Sequence, residues 1–231
     1  MNDKDFIELF VKDCEYYDNE EKELNALLSL VNFEKNEKLI DVGAGIGRLA
    51  IPLSKFLEVT AIDTNKALLD QIKDSNIEII NLKIEDYFPK QKFDYALIVW
   101  PGFHNYVEVF KHIKKKILKE NGKLLIIKSL GHDLKRVTKK IFPEIFGQQK
   151  GFLKVLNEFF EKKEEKIIET EWIYPNFDEA LKLIIFELEA FYGKKIVDNQ
   201  IEIVKEFIRE HEKSGKIYMN ARLQISVNLP K

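Results

Sequence analysis

Short apolar runs recur through the first half of the chain, at residues 38–42, 59–62, 77–80, 95–100 and 123–127. Runs of this length, rich in Ile, Val and Leu, predict strands buried on both faces. The stretches between them, notably 47–56, 65–74 and 106–120, put Leu, Ile, Val or Phe at three- and four-residue spacings, which predicts crossover helices. Strands joined by such helices run parallel, with right-handed connections. The expected fold class is therefore α/β, a doubly wound and mostly parallel sheet whose ligands bind at the carboxyl ends of the strands.

Beyond Gly131 the pattern changes. A helical segment at 152–160 precedes a strand at 167–173, and Pro175-Asn176 opens a helix that carries Leu181, Ile184, Ile185, Leu188 and Phe191 on one face and stops at Gly193. A further helix is expected at 202–211. Met219, Ala221, Leu223, Ile225 and Val227 then alternate with polar residues, which predicts a final strand that is polar on one face. No repeat, low-complexity tract or Pro/Gly/Ser-rich linker interrupts the chain, so its 231 residues are expected to form one domain, 1–231.

Composition narrows the function classes. Lys plus Arg, at 37, nearly balances Asp plus Glu, at 39, so no global excess demands nucleic acid or a membrane. The balance is uneven, because 13 of those bases and only three acids lie between 111 and 154. The solvated faces of two helices account for such a tract, and an anionic partner such as RNA is the alternative. Cys14 is the only cysteine, which rules out an intramolecular disulfide and a metal site built on paired thiolates, and fits a reducing compartment. The start MNDKDFIELF has no basic segment leading into an apolar stretch, and no apolar run is long enough to span a bilayer. A cytoplasmic protein without membrane association is expected.

The candidate chemistry centres on Asp41-Val42-Gly43-Ala44-Gly45-Ile46-Gly47-Arg48, where the first strand breaks into three alternating glycines. Glycine lets such a turn take left-handed conformations and lets a ligand lie against bare backbone. A dinucleotide fingerprint would put its third glycine where Arg48 stands, and the Gly-Lys-Ser/Thr of a phosphate loop is absent. The spacing Asp41-x-Gly43-x-Gly45-x-Gly47 resembles the first motif of class I, Rossmann-like, S-adenosylmethionine-dependent methyltransferases. The resemblance implies S-adenosyl-L-methionine as cofactor and a seven-stranded sheet with an antiparallel last strand. It also implies that Gly43, Ala44, Gly45 and Gly47 hold the methionine portion of the cofactor while Asp41 helps fix its amino group. Asp63 and Thr64 end the second strand, 22 residues after Asp41. Asp63 can take both ribose hydroxyls of a nucleoside lying over the turn, or alternatively cap the next helix. After the third strand, the resemblance implies an adenine contact from Glu85, Asp86 or the backbone at Ile84, with a plain surface acidic pair as the alternative.

The fourth strand resembles the family's place of methyl transfer in its exit, Trp100-Pro101-Gly102-Phe103-His104-Asn105-Tyr106. Trp100, Phe103 and Tyr106 offer aromatic faces to a sulfonium charge, with core packing of Trp100 as the alternative. His104 is the candidate catalytic base, with capping or packing as the plainer alternative. The loop lacks the Asn/Asp-Pro-Pro-aromatic stretch of enzymes that methylate exocyclic amines, and Phe103-His104 resembles a pair frequent in small-molecule members. A small-molecule acceptor is therefore expected, bounded by Tyr17, Phe103 and Tyr106. An RNA acceptor using the basic 111–154 region and a non-catalytic cofactor-binding subunit are the alternatives. The helices at about 1–32 and 176–213 lie where the family often builds a lid. No metal site is expected, since the four histidines lack ligand spacing.

Overall fold

A computed structural model describes residues 3–17, 20–101, 105–143 and 151–231. After two N-terminal helices, α1 (Asp3–Tyr16) and α2 (Glu20–Leu30), strands and helices alternate. They are β1 (Lys38–Val42), α3 (Ala50–Leu53), β2 (Glu58–Ile62), α4 (Lys66–Leu69), β3 (Ile77–Ile80), β4 (Phe93–Val99), α5 (Tyr106–His112) and β5 (Leu118–His132). The remainder comprises α6 (Leu134–Ile141), α7 (Phe152–Phe159), β6 (Phe160–Tyr174), α8 (Phe177–Tyr192), α9 (Asp198–Glu210), β7 (Glu212–Lys213) and β8 (Lys216–Pro230).

The sheet has the order β3-β2-β1-β4-β5-β8-β6, with the two-residue β7 added on β8. β1 pairs with β2 and β4, β2 with β3, and β4 with β5, all in parallel. The last strands add antiparallel pairing to the sheet, β7 with β8 among them, as expected. Two of the expected crossover helices are shorter than their patterns. Residues 45–49 spend themselves in turns, and the chain must re-enter β2 at Glu58, which leaves room only for α3. The third is continued by a wide π-turn, Ile113–Ile117, which buries both isoleucines and turns Lys115 and Lys116 outward.

Contacts divide the chain into two compact units, neither contiguous in sequence. One comprises 20–129, 150–168 and 223–231 and holds β1–β4 with their helices. Its core joins Ile40, Val42, Ile62, Ala96, Ile98 and Ile126 of the sheet to Val109, Phe110, Ile113 and Ile117, with Phe152, Leu156 and Phe160 completing it. Phe110 is fully buried and meets Phe152 and Phe160 edge-on, so its burial contributes about 1.5–3 kcal/mol. The other unit comprises 1–19, 130–149 and 169–222 and is mainly helical, with α1, α6, α8 and α9. There Asn176 caps α8 by accepting from the Glu179 amide, and Gly193 ends it in the left-handed conformation at φ 64°. No helix among the described residues is long and apolar enough to cross a membrane.

Candidate active site

The carboxyl ends of β1, β2 and β4 create the site. β1 delivers Asp41 and breaks into Gly43, Gly45 and Gly47, whose φ values of 77°, 55° and 77° all lie in the left-handed region. The turn is stitched to β2, because the Gly43 and Ala44 amides both donate to the Ile62 carbonyl, at 2.8 and 3.2 Å. Gly43 and Gly47 differ in what surrounds them. A Cβ at Gly43 would meet nothing within 4 Å, whereas one at Gly47 would lie 2.8 Å from Ile72 Cγ1. Gly47 therefore serves packing, and Gly43 faces open space in which a ligand can lie against backbone.

Asp63 joins the two strand ends. Its Oδ2 accepts from the Gly45 amide at 2.9 Å and its Oδ1 from the Asn65 amide at 2.8 Å. The helix cap that sequence allowed at Asp63 belongs to Asn65, whose side chain accepts from the Ala67 and Leu68 amides of α4. A carboxylate offers about four lone-pair directions, so two remain at Asp63 for vicinal hydroxyls. Thr64 beside it is exposed. Asp41 is buried at the base of the turn, and burial pushes its carboxyl up to about 7, with the Arg48 charge opposing the rise and Asp63 adding to it. A bound ammonium in this position would draw the same carboxyl back to its ionised form.

After β3 the chain makes a short 3₁₀ turn over Ile84–Asp86. Ile84 is buried, Glu85 half-buried and Asp86 exposed, so all three adenine candidates stand on one turn. At the end of β4, Trp100 takes a φ of 50°, a left-handed conformation foreign to a bulky residue and worth roughly 1–3 kcal/mol of strain. Its amide donates to Ile127 and its indole to Glu23 Oε1, at 2.8 and 3.4 Å. Glu23, on α2, is fully buried and lies 2.5 Å from Arg48. Sequence reading missed Glu23. The available signal was an acid on the helix face that also carries buried Ala26 and Leu27.

Tyr106 begins α5 and packs its ring edge-on against Phe152 at 5.0 Å. Tyr17 belongs to the mainly helical unit, where it is buried with its ring 4.5 Å from Trp172. Phe103 and His104 lie outside the described residues. Among the described residues, no group of three or more His, Cys, Asp or Glu is placed to share a metal ion.

Residues 19–158, more than half of the chain, match the family described as GidB, rRNA small subunit methyltransferase G. The chain belongs to that family. Its members are class I methyltransferases, and the cofactor is S-adenosylmethionine. The GidB match covers the glycine turn, Asp63 and β4. A curated relative, "Probable ribosomal RNA small subunit methyltransferase A" of Methanosphaera stadtmanae, is 33% identical over 95 residues, which are 36% of this chain. The match spans about a third of that relative's length, 34%. Among solved structures, a candidate methyltransferase from Bacillus halodurans C-125 superposes with a TM-score of 0.61 at 18% identity, over 90% of this chain and 98% of that one. Geranyl diphosphate C-methyltransferase from Streptomyces coelicolor, solved with S-adenosylhomocysteine, gives 0.51 at 14% identity, over 88% and 80%. At such identities these structures speak for the fold.

Proposed function

We propose that this protein transfers the methyl group of S-adenosylmethionine to a nucleotide of RNA. The family match over 19–158, named for ribosomal RNA methylation, carries the reading. It is supported by the relative named for the same class of substrate and by exposed cations on both units. Lys111, Lys115, Lys116 and Lys154 are exposed on the sheet-bearing unit, and Lys135, Arg136, Lys139 and Lys140 on the other. Cations of this kind neutralise phosphates whatever the base sequence. The small acceptor expected from Phe103-His104 has no comparable support.

The bound cofactor supplies an activated methyl group, so the chain has to bind, orient and exclude water. In this reading Gly43–Gly47 receive the amino-acid end, Asp41 the ammonium and Asp63 the ribose hydroxyls. Glu85, Asp86 or the Ile84 backbone receives the adenine, and Trp100 flanks the sulfonium. His104 would take a proton from an acceptor that carries one. The missing Asn/Asp-Pro-Pro-aromatic stretch argues against an exocyclic amine as acceptor.

The deciding experiment supplies methyl-labelled cofactor with small-subunit particles, naked ribosomal RNA and a metabolite fraction in separate reactions. Label in RNA that disappears in Asp63→Ala supports the reading. Label only in the metabolite fraction would replace RNA by a small acceptor, and cofactor binding without any transfer would indicate a partner subunit.

A further inference from the structure

We infer that Glu23 and Arg48 are positioning residues for the cofactor: Arg48 holds Asp41 ready for an ammonium group, and Glu23 anchors both Arg48 and the Trp100 indole. The inference rests on the proposed cofactor site and extends it to a residue of α2.

Three segments distant in sequence meet at one carboxylate. Glu23 comes from α2, Arg48 follows the last glycine of the turn, and Trp100 follows β4. Glu23 is fully buried and the Arg48 side chain is 13% exposed, so their 2.5 Å contact lies in a poorly screened environment. A buried ion pair of this kind adds little net stability, because desolvation offsets most of the attraction. What it does supply is placement. One carboxylate oxygen of Glu23 faces Arg48 and the other accepts from the Trp100 indole at 3.4 Å, which ties the glycine turn to the exit of β4. Trp100 takes a left-handed backbone, φ 50°, at the exit of β4, and the Glu23 hydrogen bond is what holds its indole toward α2.

The charges that act on the buried Asp41 carboxyl are Arg48, which opposes its upward shift, and Asp63, which adds to it; Glu23 bears on Asp41 through its 2.5 Å contact with Arg48. Alone in its buried position, the Asp41 carboxyl favours the neutral form, which cannot attract an ammonium group. Arg48 counters that preference, while Glu23 tempers the Arg48 charge. Two substitutions in this cluster therefore act on Asp41 in opposite directions. Loss of Arg48 raises the pH at which Asp41 ionises. Glu23→Gln keeps the shape and one acceptor, removes the opposing charge, and lowers that pH.

The test is S-adenosylhomocysteine affinity by calorimetry between pH 5.5 and 9 for wild type, Arg48→Met, Arg48→Lys and Glu23→Gln, pH values chosen as roughly two units around the Asp41 midpoint. In wild type, affinity should rise with pH and level off above about 7. Arg48→Met should move that midpoint upward by about one unit or more, Arg48→Lys should restore it, and Glu23→Gln should move it downward. A purely structural pair would weaken binding with the midpoint unchanged, and coincident midpoints overturn the inference. Should Arg48→Met not fold, the opposed shift in Glu23→Gln decides alone. Emission from Trp100 in a Trp172→Phe background provides a second readout, expected to change in Glu23→Leu, which leaves the indole no acceptor at this position. Emission unchanged by Glu23→Leu overturns the Trp100 anchor. Absence of any binding by wild type would instead defeat the cofactor site itself.

Discussion

Adding one methyl group at Gly43 and at Gly47 should have different consequences, although both glycines share a φ of 77°. An alanine held in the left-handed region costs about 1–2 kcal/mol. Part of this is returned by the stiffer unfolded chain, about 0.4–1 kcal/mol. At Gly43 nothing lies within 4 Å of the new Cβ, so the net loss of stability should be about 1 kcal/mol. At Gly47 the Cβ falls 2.8 Å from Ile72 Cγ1 and 2.9 Å from Cδ1, and overpacking adds about 1–3 kcal/mol. Denaturant unfolding should therefore rank Gly47→Ala below Gly43→Ala by that margin. Gly47→Ala combined with Ile72→Ala should be milder than the sum of the two, because the clash is gone. Calorimetry with S-adenosylhomocysteine should give the reverse ranking. Gly43→Ala places its methyl in the open space of the proposed site and should weaken binding at least about tenfold, or about 1.4 kcal/mol. Wild-type affinity in Gly43→Ala would show that no ligand lies against that backbone. Equal stability of the two variants would refute the assignment of Gly47 to packing.

Asp63→Asn should lower both cofactor affinity and stability, the latter by about 1–3 kcal/mol, since an amide turned toward the Gly45 and Asn65 N–H groups can accept at only one of its two atoms. Melting and calorimetry on the one variant separate these effects. Asp41 should make the protein less stable as pH rises: its folded value, about 7, exceeds its ordinary 3.8, so the folded state binds the extra proton between these limits. The slope is up to about 1.4 kcal/mol per pH unit, and because buried Asp13 and Glu187 shift the same way, the measurement is the difference between wild type and Asp41→Asn across pH 4–7. A difference independent of pH would contradict the Asp41 account. Replacing Lys111, Lys115 and Lys116 by alanine should weaken RNA binding and flatten its dependence on log salt by about 2–3, whereas an unaltered slope would remove these lysines from the interface.

Much of the architecture was legible along the chain because it rests on local physics. The parallel strands follow from short apolar runs, the ends of α8 from Asn176 and Gly193, and β8 from strict alternation. The cofactor class was legible because the spacing Asp41-x-Gly43-x-Gly45-x-Gly47 resembles the first motif of class I methyltransferases; local physics by itself called only for a turn with left-handed positions. Boundaries were less so. The short α3 and α4 and the π-turn at Ile113–Ile117 depend on where the chain must rejoin the sheet.

Only the tertiary structure separated Gly43 from Gly47, because the distinction lies in whether Ile72 stands behind the backbone. It also brought Glu23, Arg48 and Trp100 to one buried point and set both oxygens of Asp63 on backbone amides. Periodicity and backbone preference act over a few residues and therefore show in the sequence. The partner of a buried charge is chosen by packing across 25 or more positions of chain, and nothing in the spacing of residues records that choice.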